Sequence, residues 1–286
     1  MVLESLIGPV KAEKEPWEMF FIGILYSSVA VFLSLYVFGG QEMSLVLVFL
    51  TVMACSILMY QTLRYEEKKD LYIDKEYKLL EQHGKALSFF IFLFVGFVLS
   101  FALWYVFLPG DLAQRVFNSQ INTINDINSL TIHGKTLGAA SFWIILLNNF
   151  KVAFFSLFFS FFYGFGAIFI LTWNASVVGV ATGIFIRNSL NVALQKAGFV
   201  SITSYFTSIS VGLLRYLTHG IPEIASYFVA GLAGGLISIA VMHHGNNTDE
   251  FKRVMKDCMW LVLVCFVLLV VAAVIEVWIT PWLIKY

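Results

Sequence analysis

The chain has 286 residues, of which 59% are hydrophobic and 13% are charged. Soluble domains carry about a quarter charged residues, so this composition excludes an ordinary soluble enzyme and predicts an all-α, polytopic membrane protein. The formal net charge is zero, which favours neither nucleic acid nor an acidic substrate as a partner. The three cysteines, Cys55, Cys258 and Cys265, lack metal-ligand spacing and are interpreted as buried thiols.

A membrane span needs roughly 20 apolar residues. The sequence offers about seven stretches of that kind, at 17–38, 43–63, 87–108, 141–163, 166–187, 221–243 and 257–283. A further apolar stretch, 203–217, is too short to cross and contains Arg215. It is predicted to form a short re-entrant or interfacial helix. No long linker divides the chain, so residues 1–286 are interpreted as a single transmembrane domain.

The loops between these spans differ in basic residues. Lys and Arg concentrate before the first span and in the segments after the second and sixth spans. Because cytoplasmic loops collect basic residues, this bias predicts a multi-pass protein of the cell membrane with its N-terminus in the cytoplasm and its C-terminus outside.

Two polar segments flank the third span. Residues 65–85, dense in both charge signs, are predicted to extend that span as a cytoplasmic helix with solvated charges, or to act as a docking handle for a partner. Residues 111–130 carry apolar side chains at helical spacing and are predicted to form an external amphipathic helix. It would lie flat at the interface, or pack over the bundle as a lid.

Polar residues inside spans are expensive, so each one needs a reason. Asn148, Asn149 and Lys151 fall close to the middle of the fourth span, and Asn174 falls within the fifth. They are interpreted either as hydrogen-bonding contacts between helices or as the wall of a polar cleft.

The sixth span begins with His219, Gly220, Pro222 and Glu223. Proline and glutamate suit the first turn of a helix, so this group is either a capped helix start or half of a polar site. In the second case His219 and Glu223 could hold a divalent metal ion or relay a proton. The remaining histidines, His83, His133, His243 and His244, are interpreted as solvated.

Gly231, Gly234 and Gly235 form a smooth face in the sixth span. Such a face packs against another helix, in the same chain or in a second copy, and we expect a homodimer through it. The sequence contains no HExxH, GxSxG or P-loop motif, which favours a function other than catalysis.

The segments around residues 80–243 resemble the stage II sporulation protein M (SpoIIM, DUF95) family in its archaeal form. The resemblance rests on "KALSFFIFLFVGFVLSFALWYVFLP", "VFNSQINTIN", the Asn148–Asn149 pair, "GFGAIFILTWNASVVG", His219 with Glu223, and "AGLAGG". Thr218 stands where the family often has proline, and Ala175 where it often has glycine. The resemblance implies an integral membrane protein with a membrane or cell-envelope protein as partner.

Three functions follow as hypotheses. The first is a membrane scaffold or transport component with a polar cleft formed by Asn148, Asn149, Lys151, Asn174, His219 and Glu223. The second is an ion or small-solute channel or carrier. The third is a metal-dependent intramembrane hydrolase in which His219 and Glu223 serve as metal ligand and general base.

Overall fold

The computed structural model describes residues 8–39, 42–72, 76–133, 139–161, 165–197, 201–243 and 248–280, which contain helices and no strand. The helices are α1 (Pro9–Lys14), α2 (Glu18–Val37), α3 (Met43–Tyr72), α4 (Glu76–Phe107), α5 (Gly110–Val116), α6 (Asn118–His133), α7 (Ala139–Ser160), α8 (Phe165–Ala197), α9 (Ile202–His243) and α10 (Asp249–Val274). A π-helical turn, Ile275–Ile279, continues α10.

Seven of these helices, α2, α3, α4, α7, α8, α9 and α10, are long and apolar enough to cross a membrane. The predicted all-α bundle of about seven spans is therefore confirmed. An apolar solvent leaves the backbone no partner but itself, which is why every spanning segment is helical. The three cysteines are free and buried, as predicted.

Helices α4 and α9 form the centre of the bundle. Five phenylalanines of α4 are buried to 1% exposure or less, namely Phe89, Phe90, Phe94, Phe97 and Phe101. Of the seven spans, α9 is the most buried and α7 the least. Helix α4 packs mainly against α2 and α8, while α9 packs against α7, α8 and α10.

Glycines permit close helix crossings. A Cβ added at Gly23 of α2 would lie 2.6 Å from the carbonyl oxygen of Leu93, and one at Gly96 would meet the backbone of α2. Small residues let two backbones approach in this way. About one turn after the crossing in each helix, the Ser28 and Ser100 hydroxyls lie 3.1 Å apart and form a second contact between α2 and α4.

The structure corrects the prediction for residues 203–217. They do not form a separate re-entrant or interfacial segment but are the first part of α9, which is 42 residues long and contains Pro222 in its interior. The helix continues through Pro222 because a break in it would leave several backbone groups without partners, whereas proline removes only one hydrogen bond. The first part of α9 also packs on α8, because a Cβ at Gly212 would contact Phe185 and Thr182.

The helices α5 and α6 cover one end of the bundle. Val116 and Phe117 are fully buried, and Gln120 donates a hydrogen bond of 3.1 Å to the Ser176 hydroxyl of α8. The Ser119 hydroxyl lies 2.7 Å from that of Ser44. These contacts fit the alternative in which this segment packs over the bundle as a lid.

The glycine face of α9 is occupied by the chain itself. A Cβ at Gly231 would meet Ala167 of α8, one at Gly234 would meet the backbone of Leu157 of α7, and one at Gly235 would meet Leu63 of α3. The expectation that Gly231, Gly234 and Gly235 join two copies is therefore corrected: they let α9 sit in the middle of its own bundle.

Candidate functional site: a polar seam between α9 and α10

Five polar residues line the contact between the middle of α9 and the end of α10. His219, Glu223 and Tyr227 follow one another at intervals of four on α9, so they share one face of that helix. Glu276 and Thr280 stand at the end of α10. Together these five residues are called the polar seam.

Hydrogen bonds connect the seam. The Tyr227 hydroxyl, in a side chain that is 2% exposed, donates to Oε1 of Glu223 at 2.6 Å. At the other end, Oγ1 of Thr280 and Nδ1 of His219 form a hydrogen bond of 3.4 Å that joins the two helices. Glu276 lies close enough to Glu223 and Tyr227 for its charge to act on both groups. Two carboxyl groups thus lie close enough to interact at the contact between α9 and α10.

The α10 backbone changes form at the seam. Residues Ile275–Ile279 form a π-helical turn, and Glu276 is its second residue. Such turns have a wider hydrogen-bonded ring than the α-helix and occur frequently at functional sites. The turn sets the angle at which Glu276 projects from α10.

Helix α7 contributes Asn149. Ser156 donates to the carbonyl oxygen of Tyr227 at 2.7 Å, and a Cβ at Gly231 would contact both Ser156 and Ser160. Residue numbers therefore rise together along α7 and α9. Asn149, seven residues before Ser156 on the same face, lies at the level of residue 220 of α9.

Asn149 lies at the same level of the bundle as a poorly filled region. Its side chain is 5% exposed, and its Nδ2 atom is buried without a hydrogen-bond partner among the residues that the structure describes. Gly220, at the same level of α9, is buried, yet a Cβ added there would meet no atom within 4 Å. Unfilled space therefore occurs one residue from His219, and an amide with an unused donor lies at the same level of α7.

The structure brings together only part of the predicted polar cleft. His219 and Glu223 share the seam, and Asn149 lies level with it. Asn148 and Lys151 are exposed on the outer face of α7, because neighbouring helical residues point about 100° apart and Asn149 takes the inward direction.

Asn174 also stands apart from the cleft. Its Nδ2 atom donates to the carbonyl oxygen of Ile170, one turn earlier in α8, at 2.8 Å. It therefore serves its own helix in the structure, as a polar group inside a membrane span commonly does.

Sequence reasoning missed Tyr227, Glu276 and Thr280. A signal for Glu276 was present, because it is the one acidic residue in the apolar run from 259 to 284 and charged residues within spans usually mark function. No group of three or more His, Cys, Asp or Glu side chains that could hold a metal ion occurs among the described residues.

A second polar cluster lies at the end of the bundle where α3 and α4 meet. Lys69 donates to Oε1 of Glu13 at 2.6 Å and to Oε1 of Glu66 at 2.8 Å. Nδ1 of His83 lies 2.6 Å from Oε2 of Glu66. These four residues, the ion cluster, join α1, α3 and α4.

The ion cluster corrects two predictions. Glu66 is fully buried and His83 is 4% exposed, so neither the charges of 65–85 nor His83 are uniformly solvated. Burial, together with a hydrogen bond to Glu66, raises the pKa of Glu13 to about 7. The predictions for the side chains of His133, His243 and His244 lie outside the described residues.

The fold and the seam define a polytopic α-helical membrane protein with half-buried ionisable side chains between two of its spans. The sequence model of stage II sporulation protein M matches residues 86–281. The chain belongs to this family.

One curated relative is Uncharacterized protein MJ0793 of Methanocaldococcus jannaschii. It is 31% identical over 146 residues, which cover 50% of this chain and 72% of that protein, and this match is consistent with an archaeal-type member. No solved structure matches the chain at a significant level.

Proposed function

We propose that the protein is a transport component of the membrane in which the polar seam takes up and releases a proton. The observation that carries the proposal is the pair of carboxyl groups, Glu223 and Glu276, that lie close enough to interact electrostatically between α9 and α10. Intramembrane carboxylates and histidines are typical of proton relays in pumps and transporters.

The seam offers a connected set of groups that exchange protons. Tyr227 bonds to Glu223 at 2.6 Å, Glu276 interacts with both, and His219 reaches across to Thr280. Carboxyl, phenol and imidazole groups all donate and accept protons. The unfilled space at Gly220 and the unused donors of Asn149 supply room and polarity for water beside His219.

Proton flux into liposomes tests this function. The purified protein is reconstituted with an enclosed pH-sensitive dye, and a potassium diffusion potential drives the protons. We expect flux well above that of empty liposomes, and a loss of about tenfold in Glu223→Gln and in Glu276→Gln, because each replacement removes a titrating group. Glu250→Gln, which makes the same chemical change at an exposed position, is the matched control and should retain flux.

The proton proposal fails if the reconstituted protein gives no more flux than empty liposomes. It also fails if the two seam variants conduct as well as Glu250→Gln. Measurement of the folded fraction of each variant by size-exclusion chromatography separates a lost pathway from a lost fold.

A second candidate function is a membrane scaffold, which the outer face of α7 favours. Phe154, Phe155 and Phe158 are exposed there, together with Lys151 and Asn148. A lysine that faces lipid costs about 2.5–3.5 kcal/mol, a cost that a covering helix reduces. Such a helix would come from a second copy or from another membrane protein.

Photocrosslinking in native membranes tests the scaffold function. A photoreactive amino acid at Phe154 should give a protein adduct of discrete mass, whereas the same group at Phe21, which is exposed on α2, should give lipid adducts. Equal lipid adducts at both positions would contradict the scaffold.

The metal-dependent hydrolase stays a hypothesis that elemental analysis addresses. His219 and Glu223 would provide two ligands, and the reaction would require a stoichiometric metal ion in protein purified without chelators. A metal content near zero in such a preparation would remove this alternative.

A further inference from the structure

A basic groove runs along α3 beyond its apolar part. Pro9 of α1 forms one wall, and Ser56, Tyr60, Arg64 and Lys68 line the α3 side of a cavity of about 690 Å³. The groove is separate from the polar seam, which lies between α9 and α10. Its volume is in the range of sites for small molecules.

The groove carries positive charge without a matching carboxylate. Arg64 and Lys68 are four residues apart, so they project from one face of α3, and both are exposed. Neither makes an ion pair within the described part of the chain, and none of the lining residues is acidic. The neighbouring Glu66 points into the ion cluster instead.

Arg64 is held in place by an aromatic ring. Its guanidinium carbon lies 5.8 Å from the ring centre of Tyr60, which is within the range of a cation–π contact. Arginine stacked in this way still presents its planar donors and binds phosphate through two parallel hydrogen bonds. Lys68 adds a second charge one turn further along α3.

The position of the groove matches the boundary of a membrane. Arg64 directly follows the apolar stretch 43–63, and Met53, below the groove on α3, is 67% exposed. Tyrosines such as Tyr60 and Tyr65 favour the headgroup region. A molecule with an anionic head and an apolar tail would thus meet charge at Arg64 and an apolar surface further down α3.

We infer that this groove binds the phosphate-bearing headgroup of an anionic lipid. Arg64 and Lys68 bind the phosphate, Tyr60 and Ser56 offer hydroxyl groups to the rest of the headgroup, and an acyl chain runs along α3 past Met53. The wall at Pro9 depends on α1, which the ion cluster fixes to α3 through Glu13. Basic pockets next to spanning helices are known places for anionic headgroups.

Native mass spectrometry of the full chain tests the inference. The protein is taken from nanodiscs containing equal amounts of phosphatidylglycerol and phosphatidylcholine, and retained lipids are counted. We expect at least a fivefold preference for phosphatidylglycerol, lost in Arg64→Gln/Lys68→Gln. The variant Arg115→Gln/Lys252→Gln removes two charges at exposed positions elsewhere and should keep the preference.

Two further arms identify the source of the phosphate. Inorganic phosphate and water-soluble glycerophosphoglycerol are added to protein in zwitterionic detergent, and the thermal midpoint is compared with that after phosphatidylglycerol is added. A midpoint raised only by the lipid supports the inference. Equal stabilisation by inorganic phosphate overturns it in favour of a soluble phosphate compound, and the absence of any lipid preference overturns it altogether.

Discussion

Replacing Lys69 by methionine removes the ammonium that contacts both carboxylates of the ion cluster while keeping most of the side-chain volume. The ammonium lies 2.6 Å from Glu13 and 2.8 Å from Glu66. Breaking a buried ion pair from one side costs about 3–5 kcal/mol, because an uncompensated charge stays behind. Glu66 keeps its contact with His83 at 2.6 Å. The expected loss in the free energy of unfolding therefore lies at the lower end of this range, at about 3 kcal/mol at pH 8.

The loss should shrink as the pH falls. With Lys69 in place the pKa of Glu13 is about 7, and loss of the ammonium raises it further, so at pH 6 this carboxyl is protonated in the variant and one of the two stranded charges disappears. We expect Lys69→Met to cost about half as much at pH 6 as at pH 8. The double variant Glu13→Gln/Lys69→Met should recover part of the loss at pH 8, because it removes charge from both sides.

Unfolding by sodium dodecyl sulfate in mixed micelles, followed by tryptophan fluorescence at both pH values, measures these free energies. Lys252→Met is the control, because the Lys252 side chain is 66% exposed and its partner Asp249 lies 3.6 Å away. An exposed pair of this kind contributes about 0–1 kcal/mol. If Lys69→Met cost no more than Lys252→Met, the cluster would not hold α1 to the bundle.

Three further predictions concern the fold. Gly96→Ala should destabilise the protein by about 2 kcal/mol or more, because a Cβ would overlap a carbonyl oxygen of α2. Gly84→Ala, where a Cβ would meet no atom within 4 Å, should instead stabilise it by about 0.5–1 kcal/mol. Thermal unfolding distinguishes the two variants, and equal midpoints would refute the close crossing of α2 and α4. The pKa of Glu13 in the folded protein exceeds its ordinary value, so proton binding favours the docked α1, and this stabilisation is lost as the pH rises through 7. Hydrogen exchange in residues 9–14, corrected for the intrinsic rate, should therefore accelerate from pH 6 to pH 8. A Glu13→Gln variant that keeps this acceleration would contradict the assignment to Glu13. Arg187→Lys should lower the thermal midpoint, because the guanidinium bonds to carbonyl oxygens at the end of α4 and a lysine cannot bridge them in the same geometry; an unchanged midpoint would count against that bridge.

The spans were predictable because the length and hydrophobicity of one contiguous stretch of sequence decide whether it crosses a membrane. A run such as that of α4 must be helical in lipid, and its length alone fixes that it crosses. The exception was α9, where Pro222 indicated a helix start. Whether a proline breaks a helix depends on the packing around it, and the contacts of Gly212 on α8 are not encoded near the proline.

The candidate site was only half predictable for a related reason. His219 and Glu223 are neighbours in sequence, so their spacing shows that they share a face. Glu276 joins them through the register between α9 and α10, which depends on side-chain packing over many turns. Asn148 could not be separated from Asn149 by composition, because only the rotation of α7 decides which amide faces inward.

The length of α9 has a mechanical consequence. About 27 Å of unbroken helix, at 1.5 Å per residue, separates Ile202 from Gly220 beside the seam. Ile202 is 77% exposed and Phe206 68% exposed, so the N-terminal end of α9 presents an apolar surface that a neighbouring molecule could contact. A tilt of about 10° around a pivot near Gly220 would move that end by about 5 Å. A force applied to this end would therefore be transmitted along a single helix to the half-buried carboxyl groups.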